Sequence, residues 1–391
     1  MWAASRRRRS HHGPSQAETI QKVEELLRAA VGAYEPNSPD RALFLAEQAT
    51  ELCADAAPRS ALMAGALARA SVARFARGEY ELALKRYQAA VDIWRELGEP
   101  QGLVAGLTFI GTIQRIRGEV NLSLACFEEA LAISQSTDWG PHNTLRMERQ
   151  ANALTGIGSV HLVRQDLDLA LDFLTRALDI HTKIGPTSIL AAGTLNHLGQ
   201  VYLEMGDLDA AMEQFGRILE IYQTTEAAPR GRAAVLFDIG AVHKRRGELD
   251  KAMSYLDQAQ IVLAGRPSEL AVNVVSAIGD VWLERGDIER AHLACQQGLE
   301  IAEALGPKSL GTARALIAMG KINRARGDLK AALAVFERAL DVAQAAVPTS
   351  AETVKALENL AAIHQAQGKP RLAEDFARRA SELGDHRRRR S

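Results

Sequence analysis

The side chains in this 391-residue chain best suited to chemistry are ten histidines, three cysteines and the Gly-Lys pair at 320–321. Catalysis requires such groups within hydrogen-bond reach of one another. His161, His243 and His364 each stand four residues before a turn residue, a register that Tyr202 and Trp282 occupy in sister segments. Repeated along the chain, that register lines a spine and gathers nothing. His11 and His12 lie in a basic leader, and there is no HExxH pattern for a zinc protease. In "AMGKI" (318–322) the Gly-Lys pair lacks the glycine five residues earlier, where Ala315 stands, and the following Ser or Thr, so it is not a P-loop. Cys53, Cys126 and Cys295 show no CxxC spacing and suggest neither a zinc site nor a disulfide framework. No catalytic residue, metal or cofactor is expected, and an enzyme is the least favoured class.

A second group is cationic. Arg77, Arg117, Arg164, Arg246, Arg285 and Arg326 each stand one residue before a turn. They read either as a stripe for phosphate or as positive charge at helix C-termini, where the helix dipole favours it; the second is expected. Arg6 to Arg9 and Arg387 to Arg390 supply eight of the 47 basic residues, leaving 39 against 48 acidic ones elsewhere. The body is therefore acidic between two basic runs. Such runs are expected to be solvated and disordered, with attraction to nucleic acid or an acidic partner as the alternative.

The elements that carry these groups repeat. "RGDLKAALAVFERAL" (326–340) places Leu329, Ala332, Phe336 and Ala339 at spacings that put them on one helix face. Comparable segments begin at turn residues Asn37, Gly78, Gly118, Gln165, Gly206, Gly247, Gly286, Gly327 and Gly368, in steps of 41, 40, 47, 41, 41, 39, 41 and 41. A steady period in this range predicts a helical solenoid. Seven residues before six of these turns stands another glycine: Gly111, Gly158, Gly199, Gly240, Gly279 and Gly320. Each costs a helix interior about 1 kcal/mol relative to alanine, so the shared register implies close approach of a neighbouring helix. Pro58, Pro100, Pro141, Pro186, Pro229, Pro267, Pro307 and Pro348 are expected to end the second helix and open the link to the next unit, and Pro39 and Pro370 to stand in the first turn of a second helix. Tyr87, Phe127, Phe215 and Phe336 read as core.

Leu-Gly in "NHLGQVY" (196–202), then Gly206, Ala211, Phe215 and a proline after the second helix, resembles the tetratricopeptide repeat. The period exceeds the 34 residues of that family, and the late proline assigns the surplus, about a turn, to the second helix and its exit. This long variant is similar to the repeats of kinesin light chain, the Leu-Gly-Asn polarity adaptors and the sensory halves of bacterial transcription regulators. The expected fold is an all-α, α/α superhelical solenoid of nine helix-turn-helix repeats over residues 17–384, between basic tails at 1–16 and 385–391; a HEAT-like solenoid is the alternative.

The resemblance implies that first helices line a concave groove through the residues 13, 10, 6 and 3 before each turn. In this sequence these include Thr108, Thr112 and Arg115; Asn152, Thr155 and Ser159; Asn196 and Gln200; Lys244; Asn273, Ser276 and Asp280; Arg314, Lys321 and Arg324; Lys355 and Glu358. Amides both donate and accept, so a ladder of them suits the backbone of an extended peptide. Arg314, Lys321, Arg324 and Lys355 would make the last third basic, suited to acidic side chains or a carboxylate. Phe237 and Ile317 interrupt the pattern as an apolar pocket or a shift of register, and the 47-residue step inserts about six residues around "STDWGPHNT" (136–144), where Trp139 is either exposed or plugs the groove.

The expected function is a non-enzymatic scaffold or adaptor that binds a peptide or extended protein segment. The alternatives are a ligand-responsive sensory module of a signalling or transcription system, and binding of nucleic acid through the arginine runs. Unpaired thiols, no membrane-length apolar run and no signal-peptide h-region suit a cytoplasmic protein.

Overall fold

The computed structural model describes residues 15–33, 39–136, 139, 142–185, 189–224 and 229–390. Its eighteen helices alternate as first and second members of nine pairs. The first three pairs are α1 (Gln16–Gly32) with α2 (Pro39–Ala56), α3 (Ala61–Ala76) with α4 (Tyr80–Leu97), and α5 (Pro100–Ile116) with α6 (Val120–Ser136). Next come α7 (Asn143–Arg164) with α8 (Leu167–Ile184), α9 (Ile189–Met205) with α10 (Leu208–Thr224), and α11 (Pro229–Arg245) with α12 (Leu249–Leu263). The last are α13 (Glu269–Glu284) with α14 (Ile288–Leu305), α15 (Leu310–Ala325) with α16 (Leu329–Ala346), and α17 (Ala351–Ala366) with α18 (Pro370–Arg390). No strand occurs among the described residues, and no described helix is long and apolar enough to cross a membrane. The chain forms two compact units, residues 1–113 and 114–391.

Each pair from the second onward turns on a left-handed residue. Gly78, Gly118, Gly206, Gly247, Gly286, Gly327 and Gly368 have φ between 70° and 81°, and Gln165 adopts 66° without the steric freedom of glycine. Asn37 lies outside the described residues. Six first helices start in one of two ways. Ser60, Ser268, Ser309 and Ser350 accept a hydrogen bond from a backbone N–H in the first turn. Pro100 and Pro229 are instead the first residues of α5 and α11, where a missing N–H costs nothing. They therefore open the next helix rather than close the last. Pro58, Pro267, Pro307 and Pro348 do lie in links, and Pro141 and Pro186 are outside the described residues.

The interior glycines do admit a neighbour. A methyl group at Gly158, Gly199, Gly240, Gly279 or Gly320 would lie 2.6, 2.4, 3.0, 2.6 or 2.5 Å from Leu174, Phe215, Leu256, Cys295 or Phe336 respectively. Every partner is sixteen residues downstream, on the second helix of the same pair. Phe127, Phe215 and Phe336 are almost wholly buried. At the histidine register, His161 stacks on Phe173, His243 on Tyr255 and His364 on Phe376, at centroid distances of 5.6, 5.2 and 5.3 Å. These histidines are packing elements.

The arginines before the turns link one pair to the one before it. Arg77 reaches Asp40 at 2.7 Å, Arg164 Asn121 at 2.5 Å, Arg285 Asp250 at 2.6 Å and Arg326 Glu289 at 2.5 Å, and Arg246 pairs with Asp209. Every acceptor stands three residues after the preceding turn. The contacts are exposed and individually weak, but they recur at five joints, while Arg117 pairs with Glu119 of its own pair at 2.9 Å. Five of the six arginines are therefore committed to inter-repeat pairing rather than held by the dipole alone.

Two length expectations change. First and second helices are nearly equal, mostly 16–18 residues, so the surplus over 34 is shared between them. The six-residue insertion is largely helical: α7 has 22 residues where α5 and α9 have 17. Trp139, before it, is buried.

Candidate partner-binding groove

Within residues 114–391, neighbouring pairs touch through their first helices: α7 with α9, α11 with α13, α13 with α15 and α15 with α17. Comparable contacts between successive second helices are absent among the described residues. First helices are therefore on the inner side of the curvature. The ends of this unit also meet, since α18 touches α6 and Thr349 Oγ1 lies 3.5 Å from the position of a Cβ on Gly118.

The groove side chains tie one first helix to the next. Thr155 Oγ1 is 2.7 Å from Thr194 Oγ1, joining α7 to α9. Gln200 Nε2 donates to Asn196 Oδ1 at 3.0 Å, and Asn196 Nδ2 donates to Asp238 Oδ2 at 2.8 Å, joining α9 to α11. Lys244 Nζ lies 3.6 Å from Asp280 and 3.3 Å from Glu284, joining α11 to α13. Arg314 donates to Asn273 at 2.6 Å and to the buried Glu352 at 2.7 Å, joining α15 to α13 and α17.

Other expected members lie elsewhere. Ser159 is buried and donates to Gly156 O at 2.7 Å. Ser276 is buried with its hydroxyl unpartnered. Ile317 belongs to the core around Phe336, and Phe237 packs against the core around Leu256. Asn152 is half-buried; Thr108 and Thr112 bond their own helix at 2.8 and 2.9 Å. Arg324, Lys355 and Glu358 are exposed and Lys321 half-buried. Glu352 neutralises Arg314, so the last third is less basic than its residue types suggest.

Two residues of the network, Thr194 and Asp238, were not expected, and neither was His197 on α9, whose Nδ1 is buried without a partner. His197 and Asp238 share a register, nine residues before Gly206 and Gly247 and one residue after the groove register at ten. That shared register was the available signal. Burial pushes the Asp238 carboxyl up to about 7, against the hydrogen bond from Asn196. Burial, reinforced by the charge of Arg115, pushes His197 down to about 4. Burial also lowers the proton affinity of Arg115, whose Nε has no hydrogen-bond partner. No group of three or more metal-ligating side chains occurs among the described residues.

Models of the tetratricopeptide repeat match residues 62–136 and 149–224. The MalT-like tetratricopeptide region matches residues 191–388, just over half of the chain. The chain is a tetratricopeptide-repeat protein.

No curated protein sequence matches this tetratricopeptide array. Among solved structures it is similar to a Rap protein complexed with competence and sporulation factor, at TM-score 0.63 and 15% identity over 96% of this chain and 100% of the other. It is also similar to the apo form of RapI, at TM-score 0.55 and 15% identity over 74% of this chain and 99% of the other. At such identities the likeness concerns the fold, an α/α solenoid.

Proposed function

We propose that this tetratricopeptide-repeat protein is a non-enzymatic, cytoplasmic adaptor whose inner face, between α7 and α17, holds an extended peptide segment. The observation behind this is the succession of amide, hydroxyl and charged groups on neighbouring first helices, from Thr155 and Thr194 through Gln200, Asn196 and Asp238 to Asn273 and Arg314. An extended backbone offers donors and acceptors at about 3.3 Å per residue, and side chains that both donate and accept satisfy them without reading sequence. The Rap protein of similar fold is bound to competence and sporulation factor, which supports a ligand-binding role for the array.

The direct experiment is selection of random peptides on the full chain, followed by affinity measurement on Asn152→Ala/Asn273→Ala and on the outer-face control Arg176→Ala/Lys183→Ala. A loss of about tenfold or more, equivalent to about 1.4 kcal/mol, in the first variant alone supports the groove. Equal affinity for all three proteins sinks it.

A sensory role is a second reading, favoured by the meeting of α18 with α6. A ligand between first helices would change their spacing and thus move that contact. Scattering with and without a selected peptide reads it, and an unchanged profile argues for a rigid adaptor.

A further inference from the structure

The ninth pair carries an open socket. In five earlier pairs the residue nine places after the turn, Phe127, Leu174, Phe215, Leu256 or Phe336, is buried in a core shared with the first helix of the following pair. In the ninth pair that place holds Ala377, which is exposed, and Ala361 stands at the register of the interior glycines. These two alanines, with Val354 and Glu358 of α17 and Ala380, Ser381 and Gly384 of α18, line a cavity of about 400 Å³. Gly384 stands where Trp94, Tyr222 and Leu263 stand in sister pairs. None of the lining residues belongs to α6, which α18 also touches, so the socket is open to a further helix.

We propose that this face binds a second copy of the chain, with the two α18 helices antiparallel across Ser381. Ala377, Ser381 and Gly384 follow one another at four and three residues, so one face of α18 lacks large side chains and lets another helix approach closely. The charges of α18 match its own antiparallel image: Glu374 and Asp375 precede the small residues and Arg387 to Arg390 follow them. Asp375 and Glu382 are already engaged by Arg378 at 2.5 and 2.9 Å, whereas Glu374 is exposed and enters no ion pair among the described residues. Glu374 stands seven residues before Ser381 and Arg388 seven after it. Each Glu374 therefore falls opposite Arg388 of the partner subunit, twice in a two-fold contact that closes at two copies. A parallel arrangement would set acid against acid and arginine against arginine. A head-to-tail contact would bring the alanines against α1, which exposes Lys22, Glu24, Glu25 and Arg28. The length of α18, 21 residues where the other second helices have 15 to 18, supplies the overlap.

The test is sedimentation equilibrium on the full chain from about 1 to 100 µM, a range that brackets the micromolar Kd of a small specific contact. A reversible monomer–dimer equilibrium that weakens with added salt is expected. Ala377→Glu changes an exposed residue; it is expected to leave the circular dichroism spectrum unchanged and to weaken the dimer about tenfold or more, because the two introduced carboxylates meet across the contact. Glu374→Arg alone and Arg387→Glu/Arg388→Glu alone are each expected to dimerise about tenfold more weakly than the natural chain. An equimolar mixture of these two variants is expected to associate as tightly as the natural chain, since both acid–arginine contacts are restored across the two-fold axis. A chain that stays monomeric throughout the range, a dimer unaffected by Ala377→Glu, or a mixture that associates no better than its components overturns the proposal. The peptide measurement on Asn152→Ala/Asn273→Ala is independent of all three outcomes.

Discussion

Asn196 on α9 donates from Nδ2 to Asp238 Oδ2 on α11 at 2.8 Å, so one amide both joins two repeats and holds a carboxyl whose pKa burial has raised to about 7. Between the ordinary aspartate pKa of 3.8 and about 7, the folded chain binds a proton at Asp238 that the unfolded chain has released. The unfolded state then carries fewer protons, and stability from this group falls as pH rises through that window. Asp238→Asn removes the dependence. Denaturant unfolding of both proteins from pH 4 to 8 is expected to show the variant gaining on the natural chain by up to about 1.4 kcal/mol per pH unit, then levelling off. A constant difference across the range would refute the assignment.

His197 has the opposite sign. Its folded pKa is about 4 against 6.5 unfolded, so the unfolded chain binds the extra proton between those values. Stability is lost as pH falls from about 6.5 toward 4. His197→Gln is expected to flatten this acid limb, and the ring protons of His197 in the natural chain are expected to show no titration between pH 6 and 8 by NMR.

Gln165 and Gly206 test the turn. Gln165 holds φ 66° with a side chain, whereas Gly206 holds 81° with open space around it. Gln165→Gly is expected to stabilise by about 1 kcal/mol and Gly206→Ala to destabilise by about 1 kcal/mol, the left-handed cost for a residue with a Cβ. Thermal unfolding midpoints that move in the same direction in the two variants would contradict this.

Two helical glycines separate packing from propensity. A methyl at Gly199 would sit 2.4 Å from the Phe215 ring, whereas one at Gly216 meets nothing within 4 Å. Gly216→Ala is expected to gain about 1 kcal/mol from helix propensity. Gly199→Ala is expected to lose about 1–3 kcal/mol through overpacking. Chemical denaturation of the two variants reads both signs.

The sequence by itself determined the repeat: a period near 41, a turn residue, an interior glycine and an aromatic at constant offsets. Those features are local or fall between helices adjacent in the chain, so spacing alone reports them. Gln165 could be assigned to a turn although it is not glycine, because its neighbours kept the register. The tertiary structure alone decided what lies between repeats. Arg285 meeting Asp250 and Arg314 meeting Glu352 depend on the offset of one helix pair against the next. That offset is set by packing of whole helices, and a difference of one residue decides whether a side chain enters the groove or the core. Ser159 and Ile317 went inward for that reason, and His197 and Asp238, one position from the expected register, became buried and lost their ordinary proton affinities.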